Sequence, residues 1–124
     1  MKGSTYGSHS IGDLAGIPNA YKWDSIEAMQ KLLHGAAKKA GVTILGENWE
    51  RFLPQGTSGF LFLSESHISI HLSPEHSTCW VDAFTCGKGG GDSVAMEYII
   101  KKMKPNMSIS TLQYIDRSFP VGKR

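Results

Sequence analysis

The polar residues of segment 64–71, which reads SESHISIH, are the first candidates for chemistry in this sequence. They follow the apolar run FLFL, in a region whose β-branched and aromatic residues are typical of a buried strand. Burying polar side chains without partners costs free energy, so a strand that carries them needs a reason. Serine and histidine can serve as nucleophile and general base. The segment is therefore either an edge strand with a solvated face or part of a reactive site.

Metal binding by His67, His71 and His76 is one alternative. Their spacing matches no compact zinc pattern. His67 and His71 would lie more than about 10 Å apart along a strand, because each residue advances the chain by about 3.3 Å. That separation is too large for one ion, so we predict no metal.

A serine hydrolase that uses Ser66, His71 and Asp82 is a second alternative. The sequence lacks the G-x-S-x-G elbow and offers no obvious oxyanion hole. The glycine run 87–91 suggests a phosphate-binding loop, but the order G-x-x-x-x-G-K-[ST] is absent. A flexible loop before a helix explains the run better.

Length and composition predict one cytoplasmic domain. The chain has 124 residues, of which 40% are hydrophobic and 19% charged, as in ordinary globular proteins. A net charge of +2, with scattered lysines and arginines, does not favour binding to nucleic acid or a membrane. The first residues, MKGS, begin no signal peptide, and FLFL is too short to span a bilayer. Cys79 and Cys86 are therefore expected to be free thiols in a reducing compartment.

Hydrophobic periodicity predicts two helices. The first follows Asp24-x-x-Glu27, which has the spacing of a capping box, and ends at Gly41. The second begins at Asp92 or Ser93 and ends before Pro105. The residues spaced for burial are Ile26, Met29, Leu33, Ala36, Ala37 and Ala40 in the first helix, and Met96, Ile99, Ile100 and Met103 in the second.

Most of the remaining sequence predicts strands, at roughly 5–14, 42–53, 58–64, 67–72, 79–85 and 107–115. Short turns between the middle strands favour antiparallel pairing, with both helices on one face. We therefore predict an α+β two-layer sandwich. Its free face must be polar or covered by a partner. A sheet-mediated dimer would accommodate aromatic residues that are too many for one small core, namely Trp49, Phe52, Phe60, Phe62, Trp80 and Phe84.

Four ordered motifs occupy residues 51–87. They are RF-x-P-x-G-x-SG at 51–59, SESH at 64–67, IH with a following PE at 70–75, and D-x-FTCG at 82–87. With this order and spacing they resemble the core of the short prokaryotic S-adenosylmethionine decarboxylase proenzyme family. Gly7-Ser8-His9 and Arg117 resemble family positions outside the core.

The resemblance implies self-cleavage between Glu65 and Ser66. In the family, the serine hydroxyl attacks the preceding carbonyl, here that of Glu65, and the amide becomes an ester. Elimination then leaves a dehydroalanine, which hydrolyses to a pyruvoyl group. The products would be chains 1–65 and 66–124, the second with a covalently attached pyruvoyl group derived from Ser66. Such a group forms a Schiff base with the substrate amine and accepts the electrons released when carbon dioxide leaves.

The resemblance also implies roles for other residues. Cys86 would be the proton donor, a role that suits a thiol whose pKa lies near the working pH. Ser58 and His71 would assist self-cleavage. Phe52 would stack on adenine, and Glu75 would bind the ribose hydroxyls.

The sequence separation of Ser66 and His71 indicates whether they can meet within one chain. Ser66 and His71 lie five residues apart, so they face opposite sides of a regular strand. A two-fold dimer could bring Ser66 and Cys86 of one subunit to the four other site residues of its partner. Family sites form at such an interface. His67, directly after the cleavage site, is expected only to order the turn.

The expected activity is decarboxylation of S-adenosylmethionine to S-adenosylmethioninamine, the aminopropyl donor for spermidine synthesis. The family commonly has Thr-Trp where this chain has Leu72-Ser73, and segment 76–79 also departs from the pattern. Ornithine or arginine are therefore alternative substrates for the same chemistry. A non-catalytic, uncleaved dimeric partner or regulator is the alternative of another class.

Overall fold

The computed structural model describes residues 4–64, 66–87 and 89–120. Its α-helices are α1 (Ile26–Ala40) and α2 (Gly91–Met103), and short 3₁₀ helices span Ala20–Trp23 and Pro74–His76. The strands are β1 (Ser4–Thr5), β2 (Gly7–Leu14), β3 (Ile44–Arg51), β4 (Thr57–Leu63), β5 (Ser66–Ser73), β6 (Thr78–Cys86), β7 (Thr111–Asp116) and β8 (Phe119–Pro120).

Six strands form one antiparallel sheet in the order β3-β4-β5-β6-β2-β7, while β1 pairs with β8. Strands β3 to β6 follow one another through short turns, and β2 is inserted between β6 and β7. Helix α1 packs against β3 and β4, α2 packs against β2 and β6, and the two helices contact each other. The predicted two-layer α+β sandwich is confirmed. In the described part of the chain, no helix is both long and apolar enough to cross a membrane.

The core lies between the sheet and the helices, because each central strand turns one apolar face towards them. In β5 the buried residues are Ile68, Ile70 and Leu72, whereas His67 and His71 lie on the opposite face. The predicted helix faces are confirmed except at Ile26, which is 37% exposed, and at Ala40 and Ile100, which are only partly buried. The buried helical residues are Met29, Leu32, Leu33, Ala36 and Ala37 in α1, and Asp92, Ala95, Met96, Ile99 and Met103 in α2.

Strand β7 begins later than predicted. The sequence predicted a strand over 107–115, but β7 begins at Thr111. Residues 107–109 form a turn instead, in which the amides of Ile109 and Ser110 donate to the carbonyl of Asn106 at 3.2 and 3.1 Å. Local hydrogen bonds to this carbonyl displace the strand conformation that the apolar residues favoured.

Helix α1 is tied to the sheet through Glu47 of β3. The Glu47 carboxylate accepts hydrogen bonds from Gln30, Trp49 and His34, each at 2.9 Å, and these lower its pKa to about 2. The Trp49 ring lies over Gly59, where an added Cβ would come within 2.1 Å of a ring atom. Gly59 is therefore needed for this close packing of β3 on β4.

The start of α1 differs from the prediction. Ser25, not Asp24, is the N-cap, and its hydroxyl accepts from the amide of Ala28 at 3.0 Å. The predicted capping box on Asp24 and Glu27 was therefore wrong by one position at its first residue.

Asp24 instead joins the start of α1 to the turn between β3 and β4. Its side chain is 4% exposed and pairs with Arg51 at 3.2 Å. It also accepts from the amide of Gly56 at 3.1 Å and from the hydroxyl of Thr57 at 2.8 Å. Arg51 and Gly56 flank Phe52 in sequence. The turn is also closed by a backbone hydrogen bond, in which the amide of Phe52 donates to the carbonyl of Gly56 at 2.8 Å. One buried carboxylate therefore fixes the turn that carries Phe52.

We expect Asp24→Asn to destabilise the protein by about 2 kcal/mol, because the Arg51 charge and two donors lose a buried anionic acceptor. The unfolding midpoint in urea measures this. Asp13→Asn is a matched control, since Asp13 is exposed and accepts from Thr111 at the sheet edge. Equal midpoints for the two variants would contradict the assignment.

Candidate active site

The free face of the sheet, opposite the helices, carries most of the residues that the sequence singled out. Directly opposed residues of adjacent strands share a face. Ser58 of β4 is opposite His71 of β5, and His71 is opposite Trp80 of β6. At the other end of β5, His67 is opposite Phe84 of β6.

One group of predicted residues gathers around His71. The Ser58 hydroxyl hydrogen-bonds to Nδ1 of His71. The Phe52 ring lies 6.2 Å from the His71 ring, centroid to centroid, and Trp80 lies 5.8 Å from it on the other side. Phe52, His71 and Glu75 line a shared cavity of about 250 Å³. The structure therefore brings together Phe52, Ser58, His71 and Glu75, which we call the His71 group.

A second group lies at the start of β5. The backbone amide of Cys86 donates to Oγ of Ser66 at 3.4 Å, and Ser66 Oγ lies 3.5 Å from the carbonyl of Ser64. Both cysteines are free, Cys86 exposed and Cys79 buried. Cys86 is therefore the accessible sulfur, whereas burial raises the pKa of the Cys79 thiol and disfavours its reactive thiolate form. We call Ser66 and Cys86 the Ser66 group. Glu65, whose carbonyl was predicted at the cleavage site, lies outside the described residues.

The two groups do not meet within one chain. Ser66 and His71 stand at opposite ends of β5, about 16 Å apart along the strand by its rise per residue. Ser66 is also in phase with the buried Ile68 and Ile70, whereas His71 is exposed on the free face. The structure thus contains two partial sites at opposite ends of one strand.

The rival serine hydrolase triad is not assembled. His71 bonds to Ser58, Asp82 pairs with His9, and Ser66 contacts the amide of Cys86. The rival histidine cluster is not assembled either, since the group of possible metal ligands found among the described residues includes neither His71 nor His76.

A different polar chain was missed by sequence reasoning. Asp82 pairs with Nε2 of His9, and the same carboxylate oxygen lies 3.8 Å from Nε2 of His67. The other ring nitrogen of His9, Nδ1, lies 3.1 Å from Nη1 of Arg117. Arginine only donates, so a neutral His9 accepts at Nδ1 and directs its Nε2 proton to Asp82. All four residues belong to, or lie beside, the motifs noted in the sequence, but only strand register brings them together, so the sequence did not indicate that they pair.

The ligand atoms of His9, His67 and Asp82 lie within 4.8 Å of one another, a separation that would suit a metal ion. A metal on Nε2 of His9 would require that nitrogen to lose its proton and Nδ1 to gain one. Nδ1 faces the Arg117 guanidinium, which leaves no acceptor for such a proton. The arrangement favours a hydrogen-bonded chain.

A buried network supports the strand end that carries Cys86. The carboxylate of Asp92, in the first turn of α2, accepts from Ser10 at 2.7 Å and from Thr85 at 3.2 Å. The Asp92 amide donates back to Thr85 at 3.1 Å. These bonds attach β6 to α2 one residue before Cys86. The backbone that contacts Ser66 is therefore fixed from the helix side of the sheet.

Comparisons with known proteins identify the family of this chain. The model of the S-adenosylmethionine decarboxylase family matches residues 8–118. The S-adenosylmethionine decarboxylase proenzyme of Persephonella marina is 44% identical over 101 residues, covering 82% of this chain and 75% of that protein. The proenzyme 2 of Bacillus anthracis is 37% identical over 106 residues, covering 86% and 85%.

A solved structure is also similar. The crystal structure of the adenosylmethionine decarboxylase from Aquifex aeolicus gives a TM-score of 0.82 at 38% sequence identity, covering 91% of each chain. The family match spans nearly all of the residues that form the six-stranded sheet and both helices. The chain therefore belongs to the S-adenosylmethionine decarboxylase family.

Proposed function

We propose that this chain cleaves itself between Glu65 and Ser66 and then decarboxylates S-adenosylmethionine to S-adenosylmethioninamine, the aminopropyl donor for spermidine synthesis. The observation that carries the proposal is the Ser66 group. In a chain of this family, Ser66, the second serine of the SESH motif, lies beside the backbone of Cys86, the one exposed cysteine among the described residues. The relatives named above are called decarboxylases or decarboxylase proenzymes, which supports both steps.

Self-cleavage needs a hydroxyl nucleophile, a base and a leaving carboxylate. The Ser66 hydroxyl attacks the Glu65 carbonyl carbon, the peptide C–N bond breaks, and an ester forms. A base then removes the Cα proton of Ser66, and the Cβ–Oγ bond breaks, so that Oγ leaves as part of the new Glu65 carboxylate. Tautomerisation and hydrolysis of the remaining enamine release ammonia. His71, oriented by Ser58, has the chemistry for the base.

The residues around Ser66 fit a pyruvoyl group at the new chain end. Ser66 opens β5, so the group would lie at a strand terminus beside an exposed thiol and a backbone N–H donor. A pyruvoyl carbonyl supplies an electron sink for decarboxylation of an α-amino acid. Cys86 would then donate the proton that replaces carbon dioxide, and the Asp92–Thr85 network would hold its backbone in place.

His71 cannot serve Ser66 of its own chain, because the two lie at opposite ends of β5. We therefore assign the base to a second copy, with the two free faces packed together. Ser66 begins β5, and its hydroxyl contacts the backbone of Cys86, which is exposed and in phase with Trp80 on the free face, so the strand terminus would be reached from that side. Aromatic residues on that face support this pairing: Phe60 is 38% exposed, Phe62 60% and Trp80 44%. The face also carries a cleft of about 490 Å³ that Phe60 and Trp80 line. Each complete site would combine the Ser66 group of one copy with the His71 group of the other.

Substrate binding is assigned to the cavity of the His71 group. Phe52 is exposed and offers a flat ring for adenine, a contact worth about 1 kcal/mol. Glu75 is exposed at the same cavity and can accept hydrogen bonds from both ribose hydroxyls. Leu72 and Ser73, which depart from the family pattern, also line this cavity. The names of the relatives do not favour ornithine or arginine as substrate.

We expect the purified protein to contain two fragments, 1–65 and 66–124, the second with a blocked amino terminus, because the cleavage residues are all present. Intact-mass spectrometry measures this. Ser66→Ala should remain one chain, since no hydroxyl can attack. Ser69→Ala, on the same strand, should cleave as the wild type does. A full-length wild-type chain would contradict the proposal and favour the non-catalytic alternative.

We expect subunit mixing to restore activity. Cys86→Ala and Phe52→Ala proteins should each be nearly inactive, whereas their heterodimer has one intact site. Random exchange would therefore recover about a quarter of wild-type activity if sites are shared across a two-fold axis. The control replaces the Phe52→Ala protein with a Phe52→Ala, Cys86→Ala double variant, which cannot complete any site. Absence of recovery once heterodimers have formed, or a monomer in sedimentation, would overturn the shared site.

We expect S-adenosylmethionine to have the highest kcat/KM when carbon dioxide release is measured with it, ornithine and arginine in parallel. Glu75→Gln should lower kcat/KM for S-adenosylmethionine about tenfold, because it weakens charge-assisted bonds to the ribose. Glu27→Gln is the matched control, since Glu27 is exposed on α1 and lines neither this cavity nor the cleft of the free face. A clearly higher kcat/KM for ornithine or arginine would show that the Leu72-Ser73 change has altered specificity.

A further inference from the structure

Cleavage would leave β5 with a free end at the residue that reacts. Chain ends fray unless side chains or hydrogen bonds fix them. The contact between Ser66 Oγ and the Cys86 amide would not survive, because Oγ leaves with the Glu65 carboxylate. This inference rests on the proposed cleavage. Other contacts must then keep the new chain end beside Cys86.

The next side chain along β5 is that of His67. Its ring stacks on Phe84 of β6, with centroids 6.0 Å apart and an interplanar angle of 25°. It also makes an edge contact with His9 of β2 at 6.3 Å, and its Nε2 lies 3.8 Å from Asp82. The residue that follows Ser66 is therefore held by side chains of two other strands.

Those partners are themselves held in place. Asp82 bonds to His9, and Arg117, which follows β7, lies 3.1 Å from Nδ1 of His9. The Arg117 guanidinium also lies over the Phe84 ring, 5.4 Å from its centroid. Gly7 leaves room for that ring, since an added Cβ would come within 3.2 Å of it. The contacts form a closed group of rings and charges around His67.

We propose that the His67 clamp, formed by His9, His67, Asp82, Phe84 and Arg117, is a positioning device for the cleaved chain. Before cleavage, the peptide bond to Glu65 restrains Ser66. After cleavage, the clamp restrains the pyruvoyl end through the adjacent residue and keeps it beside Cys86. His67 thus has a role beyond the turn-ordering role that the sequence suggested.

The test is amide hydrogen exchange of segment 67–70, measured by mass spectrometry in cleaved and uncleaved backgrounds. In the cleaved protein, His67→Ala should speed exchange about tenfold over wild type and lower kcat more than it raises KM. In the uncleaved Ser66→Ala background, His67→Ala should change exchange less than about twofold, because the chain still tethers the strand. Phe84→Leu should act in the same direction with His67 intact. Ser69→Ala is the control on the same strand.

Equal exchange in cleaved wild type and His67→Ala would overturn the clamp. Equal acceleration in both backgrounds would do so too, since it would indicate an ordinary packing role. Clamp variants that fail to cleave would place these residues in the cleavage reaction instead. Intact mass is measured first. An uncleaved wild type would refute the proposed function and remove the chain end that the clamp would hold. Normal cleavage with unchanged exchange would refute the clamp alone.

Discussion

Side chains alternate along a β-strand, and in β5 this alternation separates the reactive residues of the chain. Ser66 begins the strand in phase with Ile68 and Ile70, which face the helices, while His71 lies towards the far end on the free face. Neither residue can move to the other without breaking hydrogen bonds to β4 and β6, which flank the strand along its length. The division into two partial sites, and the need for a second copy in the proposed mechanism, follow from this fixed register.

The fold could be predicted well wherever a segment carried its own periodicity. The alternation in β5 and the helical spacing in α1 each specify a face to bury, and the structure buries those faces. The insertion of β2 between β6 and β7 could not be read in the same way. It depends on long-range pairing, such as that of His9 with Phe84, which no local pattern encodes.

The candidate site shows the same limit. Motifs indicated its reactive residues, since the chemistry requires a serine, a cysteine and a histidine at matching positions. The residues that hold these reactive side chains in place were identified only from contacts in the structure. Asp24 was predicted to cap a helix, yet it lies 33 residues before Thr57, to which it bonds. A carboxylate that stabilises a turn from another element has no local sequence signature. The Asp92–Thr85 pair and the His9–Asp82 pair were missed for the same reason.

The position of β2 has a consequence for the two proposed products. Fragment 1–65 contains β2, and fragment 66–124 contains both of its neighbours, β6 and β7. A strand of one product is thus interleaved between two strands of the other, and β4 and β5 form a second seam between them. The two pieces would stay paired through these strands, so cutting the backbone would not release either one. Dissociation would require the whole sheet to unfold, and reassembly from separated pieces would become a bimolecular, concentration-dependent reaction.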